Sequence, residues 1–492
     1  MIKAKKEKIL KLFRTGSILS FSGNADGALQ EPEINSTQGK QGKEVDRRPF
    51  DAMMEVLSPP ATQARNFVAR LVGRKSALHV AAAKGQTNLV KVLLDRGANI
   101  NATNADWPWW TALHHAASDG HVEVVKILLD RGATIDTIAD YKGTALHQAA
   151  DRGHTEVVEV LLDKGAPIDA MADGTALHNA AGRGHIGVVK ILLDRGAAID
   201  ATTDIQSTAL HRAARGGHIE VMKLLLDRGA AVDATDYTKS STLHWAADGG
   251  HIEAVELLLD KGAAIDATNY TESTALHCVA HGGHIEVVKL LLDRGAVIDA
   301  TNDTKPTALH WAADAGHIEV VKVLLDKGAP IDAMADETAL HKAAGRGHIE
   351  VVKVLLDRGA SIDATSVKGQ TALHVACASM DRPPYPPPRR PWDADTNASR
   401  IKLVQVLLKK VTITSYSIID VADKSGDTAL HCATRFLDSN VVQQLLDNGA
   451  TIDQKNERGE TALDIARRRG WKRGVTLLTS TAQIDKSAHP VV

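Results

Sequence analysis

Apolar and polar positions along the chain follow one recurring pattern, seen in the stretch TALHCVAHGGHIEVVKLLLDRGAVIDATNDTKP that begins at Thr274. Thr274 suits a helix N-cap, and His277, three residues on, can reach back toward it as in a capping box. A short helix is predicted to follow and to stop near Gly282 and Gly283. A second helix carries Ile285, Val288, Leu291 and Leu292 at helical spacing, while Val287 and Leu290 widen the apolar stripe. Such a helix is buried on two sides, as one sandwiched between neighbours would be. Gly295 fits the left-handed residue that ends it, and VIDATNDTK crosses to the next unit as an extended finger. No unit can bury its own apolar face, so the units must stack.

The tetrapeptide TALH, or a near copy, begins at Ser76, Thr111, Thr144, Thr175, Thr208, Ser241, Thr274, Thr307, Thr338, Thr371, Thr428 and Thr461. Seven of the eleven spacings are 33 residues, which makes twelve units of one design. The departures are local. Two 31-residue spacings follow GAPIDAMAD at Pro167 and Pro330, 163 residues apart, and read as a block duplication. In the last three fingers a Gly stands two residues before Thr (Gly369, Gly426, Gly459), whereas Gln206, Lys239, Glu272 and Lys305 hold that place centrally, which predicts irregular turns there. The single 57-residue spacing contains an insertion, about residues 380–399, with six of the chain's 15 prolines between Pro383 and Pro391. It reads as a stiff excursion past which the stack continues, with the weakest coupling between neighbours beside it.

These residues resemble the ankyrin-repeat family, whose signature is T-P-L-H-x-A at a period of about 33 residues. Ala replaces the family's Pro after Thr, which keeps helix propensity. The resemblance covers residues 76–478 as twelve repeats and implies an all-α solenoid of helix-loop-helix units, with hairpin fingers beside a concave groove. It implies a surface suited to a protein partner. Residues 1–57 form a basic segment expected to be mostly disordered, 58–75 a capping helix, and 479–492 a C-terminal tail. Residues 1–75 hold 14 basic and 8 acidic side chains, a net charge of +6 against −8 for the rest.

Composition narrows the chemistry. With 58 basic and 60 acidic side chains in 492 residues, nothing global attracts the chain to nucleic acid. Three cysteines, Cys278, Cys377 and Cys432, make no disulfide framework and no CxxC pair, and no apolar run spans a bilayer, so an intracellular protein, cytoplasmic or nuclear, is expected. Of 22 histidines, eleven are the His of TALH and eight the His of a GH that opens the second helix, which leaves His115, His281 and His489. Repetition therefore accounts for nineteen. Without HExxH, a Walker loop, GxSxG or an EF-hand, neither an enzyme nor a metal or cofactor is expected.

Aromatic residues make up only 3% of the chain, and eight lie between residues 76 and 378. Six sit in fingers: Trp107, Trp109, Trp110, Tyr141, Tyr237 and Tyr270. Trp245 and Trp311 each stand four residues after Thr, two units apart on the same side of the stack. Interface anchors are enriched in Trp and Tyr, so these eight are the candidate partner contacts, with packing inside the stack as the competing role for the last two. Pro384, Pro387 and Arg389 form PxxPxR, which makes an adaptor domain reading polyproline II a second candidate partner. Ile2, Ile9, Leu12 and Phe13 fall on one face of a short basic helix, read as a solvated start. The expected function is a non-enzymatic scaffold or adaptor. The alternatives are the sensor portion of a larger signalling protein and, last, an enzyme with an unrecognised site.

Overall fold

The computed structural model describes residues 77–103, 109–139, 143–301, 306–378, 394–414 and 418–488. Residues 1–57 and 58–75, Trp107, Tyr141, Lys305, Pro384, Pro387 and Arg389 lie outside the described residues. The chain divides into two units, and the described residues belong to one of them, Arg70–Asp381 with Trp392–Val492.

Twenty-four helices and no strand occur among the described residues. They come in pairs, such as Ala275–Gly282 followed by Ile285–Asp293. Helices this short are marginal alone, so packing must hold them. Leu276, Val279 and Ala280 of the first helix and Val287, Val288 and Leu291 of the second are buried. Each such aliphatic side chain contributes about 1.5–3 kcal/mol on full burial. First helices pack on first helices of the adjoining units, and second on second, which is the two-sided burial that the wide apolar stripe predicts.

Two histidines per unit stitch the stack in opposite directions. In the seventh unit the Thr274 amide donates to His277 Nδ1 at 3.1 Å, and the Thr274 hydroxyl lies 2.9 Å from the same nitrogen. Nδ1 is therefore the acceptor, and Nε2–H donates forward to the carbonyl of Pro306 at 3.2 Å. All eleven TALH histidines reach a carbonyl of the following finger in this way. The eight GH histidines reach backward. His284 Nε2 donates to the Asp248 carbonyl at 3.2 Å and His317 Nε2 to the His281 carbonyl at 2.9 Å.

Charged positions follow the same logic. The Asp of IDA accepts the next unit's backbone amide, as Asp266 does from Val297 at 3.0 Å. The Asp of LLDRG pairs with the next unit's cation, as in Arg294–Asp260 at 2.8 Å and Arg358–Asp326 at 2.6 Å. These pairs are exposed, so each is worth about 0–1 kcal/mol.

The finger turns correct one expectation. Gln206, Lys239 and Glu272 take φ of 58°, 59° and 54°, close to the 75°, 72° and 73° of Gly369, Gly426 and Gly459. The turns keep the same left-handed form, and the non-glycine residues bear the strain. A left-handed L-residue costs about 1–2 kcal/mol, so Gln206→Gly is expected to stabilise the array by about 0.5–1 kcal/mol after the loss of unfolded-state restriction. Urea titration of the two proteins checks this; an unchanged or lower midpoint counts against strain at that turn.

The stack does continue past the insertion. His374 Nε2 donates to the Asp427 carbonyl at 3.1 Å, and the Lys424 amide donates to the Lys368 carbonyl at 2.9 Å. The second helix of this unit spans Ala394–Thr414, so part of the stretch expected to be an excursion is helical. Arg400 occupies its GH-histidine position, donating to the Cys377 carbonyl at 2.7 Å and facing buried Asp438 at 3.7 Å. The last helix, Lys472–Ala488, runs beyond residue 478.

Candidate functional site

Two surfaces carry the side chains singled out in the sequence. The first is the finger edge. Of the twelve large hydrophobic side chains exposed among the described residues, eight lie in fingers: Trp109, Ile138, Met171, Ile205, Tyr270, Val297, Met334 and Val367. Tyr270 is 61% exposed and Trp109 60%. Trp109 also sits at φ 74°, a strained conformation for a bulky residue of the kind retained at functional positions.

Backbone bonds join the fingers to one another. The Tyr237 amide donates to the Ile205 carbonyl at 2.9 Å, Tyr270 to Thr238 at 2.8 Å, and Val367 to Asp336 at 2.9 Å. Each finger also closes on itself, as Asn269 donates to the Ser273 carbonyl at 3.1 Å. The exposed row is thus held in place before any partner arrives, which lowers the ordering cost of association. Tyr237 is half-buried, and Lys239 lies over the Tyr270 ring at 4.9 Å.

The second surface is the outer side of the first helices. Between the second and fifth units it forms a recess of about 580 Å³ lined by Trp110, His115, Gln148, Asp151, Asn179, Arg183 and Arg212, among others. Its charges compensate one another. Arg183 meets Asp151 at 3.0 Å, and Arg212 is held by the Asp173 carbonyl, by the Asp173 carboxylate at 3.6 Å and by Asn179 Oδ1 at 3.5 Å. Burial, then the neighbouring His79 and His114, push the pKa of His115 down to about 4, so the ring is neutral.

Several of the predicted contacts turn inward. Trp110 is only 8% exposed, with its ring 4.9 Å from that of His115, and its carbonyl accepts from His79 at 3.1 Å. That ring has no face left for a partner. Trp245 is half-buried; its indole donates to Asp236 at 3.1 Å and its ring meets His211 edge-on at 5.6 Å. Trp311, also half-buried, meets His281 edge-on at 5.3 Å. Both take the role of packing within the stack. Sequence reading in turn passed over Met171, Ile205, Met334 and Val367. The available signal was a single apolar residue within an otherwise polar finger, three or four positions before Thr or, for Met334 and Met171, four.

Nothing in this arrangement prepares a nucleophile. Burial pushes the Cys278 and Cys432 thiols up to about 12, and raises Cys377 as well. Among the described residues no group of three or more His, Cys, Asp or Glu side chains is placed to hold a metal ion. No described helix is long and apolar enough to cross a membrane.

Stacked helix pairs with projecting, mutually bonded fingers define a helical-repeat solenoid. A family model for ankyrin repeats in three copies matches residues 61–139, 78–172, 134–203, 177–269, 243–335 and 395–488, and one for many copies matches 324–376; the chain belongs to the ankyrin-repeat family. Ankyrin repeats are in general protein–protein interaction modules. The crystal structure of the human ASB11 ankyrin repeat domain is similar to this chain at 32% identity, covering 45% of this chain and 99% of that one, with a TM-score of 0.42. No curated protein matches the chain.

Proposed function

We propose that this chain is a non-enzymatic scaffold that holds a partner protein along its finger edge and the adjoining face of the first helices. The observation that carries the reading is the row of exposed apolar side chains on fingers already bonded to one another. Exposed apolar patches on a soluble surface mark interaction sites, and large aromatic side chains at their centre supply most of the affinity. Tyr270 and Trp109 are the anchors of choice, with Met334 and Val367 extending the contact and half-buried Tyr237 supporting it.

Tyr270→Ala is expected to cost about 2 kcal/mol of binding, close to a thirtyfold loss of affinity. The measurement is calorimetric titration of a partner purified from host lysate on the wild-type chain, repeated with Tyr270→Ala and Trp109→Ala. Val92→Ala, exposed on a second helix away from the fingers, serves as the control. Affinities unchanged in both finger variants would refute the assignment.

A further inference from the structure

The finger edge is electrostatically one-sided. Along the second helices charges meet in pairs, Lys289 with Glu286 at 2.7 Å and Lys261 with Asp227 at 2.9 Å being typical. Between Gly165 and Gln370 the described finger residues instead carry the exposed acids Asp169, Asp200, Asp204, Asp233, Asp332 and Asp336. The cations of these same residues are Lys239 and Lys368, and Lys239 already lies over the Tyr270 ring. Where an IDA aspartate accepts a backbone amide, as Asp200 does from Ala231 at 3.2 Å, its charge is kept. Asp204 and Asp336 stand beside the exposed Ile205 and close to Met334 in sequence, so negative charge and apolar surface share one edge.

We infer that the finger edge of the third to ninth units takes a basic partner segment, one in which Lys or Arg alternates with apolar side chains. Apolar groups dock on the exposed row, and the flanking cations find the aspartates. An acidic surface with no apolar content would attract cations without register, and an apolar surface with no charge would not choose among sequences; together they select for both properties. This inference rests on the scaffold reading and names the chemistry of the partner that it would hold.

The test uses the whole chain and a fluorescent peptide repeating the triplet Lys-Leu-Arg, followed by anisotropy at low and physiological salt. Two control peptides replace every Leu by Gly, or every Lys and Arg by Glu. The Lys-Leu-Arg peptide is expected to bind at least tenfold more tightly than either control and to weaken with salt. Combined Tyr270→Ser, Met334→Ser and Val367→Ser should weaken it tenfold or more, and Asp204→Asn with Asp336→Asn should weaken it and flatten the salt dependence. All five positions are exposed, and a thermal melt of each variant checks that the array still folds. Equal binding of the Leu-free peptide, or binding that ignores both sets of substitutions, overturns the inference. If no peptide binds while a purified partner is still lost from Tyr270→Ala, the cationic assignment falls and the scaffold reading stands. A partner indifferent to Tyr270→Ala removes the reading beneath it.

Discussion

Acidification from neutral pH to about pH 4.5 is expected to unfold the array, well before its carboxylates are neutralised. His114, His178 and His310 are buried, and burial is the main cause holding each folded-state pKa down to about 4 from 6.5. Burial also lowers His147, His211, His244, His277, His341 and His374. A neutral ring is required at each site, because Nδ1 accepts from the N-cap while Nε2–H donates to the next finger. Below 6.5 the unfolded chain takes up protons that the folded chain refuses, so stability is complete above that value and falls as pH falls toward 4. For a histidine shifted from 6.5 to about 4 the loss amounts to about 3 kcal/mol at pH 4. Three such groups already approach the total stability of an ordinary domain, on the order of 10 kcal/mol. Denaturant midpoints measured across this range, with proton uptake on unfolding, check the claim. A flat profile down to about pH 4.5 would show that the histidines are not held neutral.

The second large effect is Gly283→Ala, expected to cost about 3 kcal/mol although it adds one methyl group. Gly283 sits at φ 77°, and a methyl there would stand 2.6 Å from Nδ1 and Cε1 of His317 in the following unit. That ring cannot retreat freely, because its Nε2 donates to the His281 carbonyl at 2.9 Å. The cost is left-handed strain plus either a clash or a lost buried hydrogen bond. Gly295 provides the comparison: its φ is 92°, but a methyl there meets nothing within 4 Å, so Gly295→Ala should cost only the strain, about 1–2 kcal/mol. Adding His317→Ala to Gly283→Ala should give a clear coupling in a double-mutant cycle. Equal costs for the two glycines would show that the ring is not a constraint.

The repeat and its helices were legible because they depend on short-range pattern. Thr274 with His277 predicted its own cap, and Gly283 and Gly295 their own left-handed turns. The forward reach of His277 to Pro306 and the backward reach of His284 to Asp248 were not legible, since a carbonyl has no side-chain signature and its position is set by the neighbouring unit. The candidate site was half legible for the same reason. Trp109 and Trp110 are adjacent and chemically identical, yet one is 60% and the other 8% exposed, a difference decided by backbone direction at φ 74°. Gln206, Lys239 and Glu272 misled because a left-handed turn can be imposed by its neighbours at an energetic cost.

The paired histidines and the glycine each backward-reaching ring rests on also bear on how such a chain can lengthen. Every boundary between regular units uses the same donors and the same carbonyls, so a copied block meets neighbours it already fits at both of its ends. The segments GAPIDAMAD at Pro167 and Pro330, 163 residues apart, bracket such a block of five units. Growth by duplication then demands no new contacts at the seams, and selection is free to act on the finger residues of the copies, which is where Met171 and Tyr270 have come to differ.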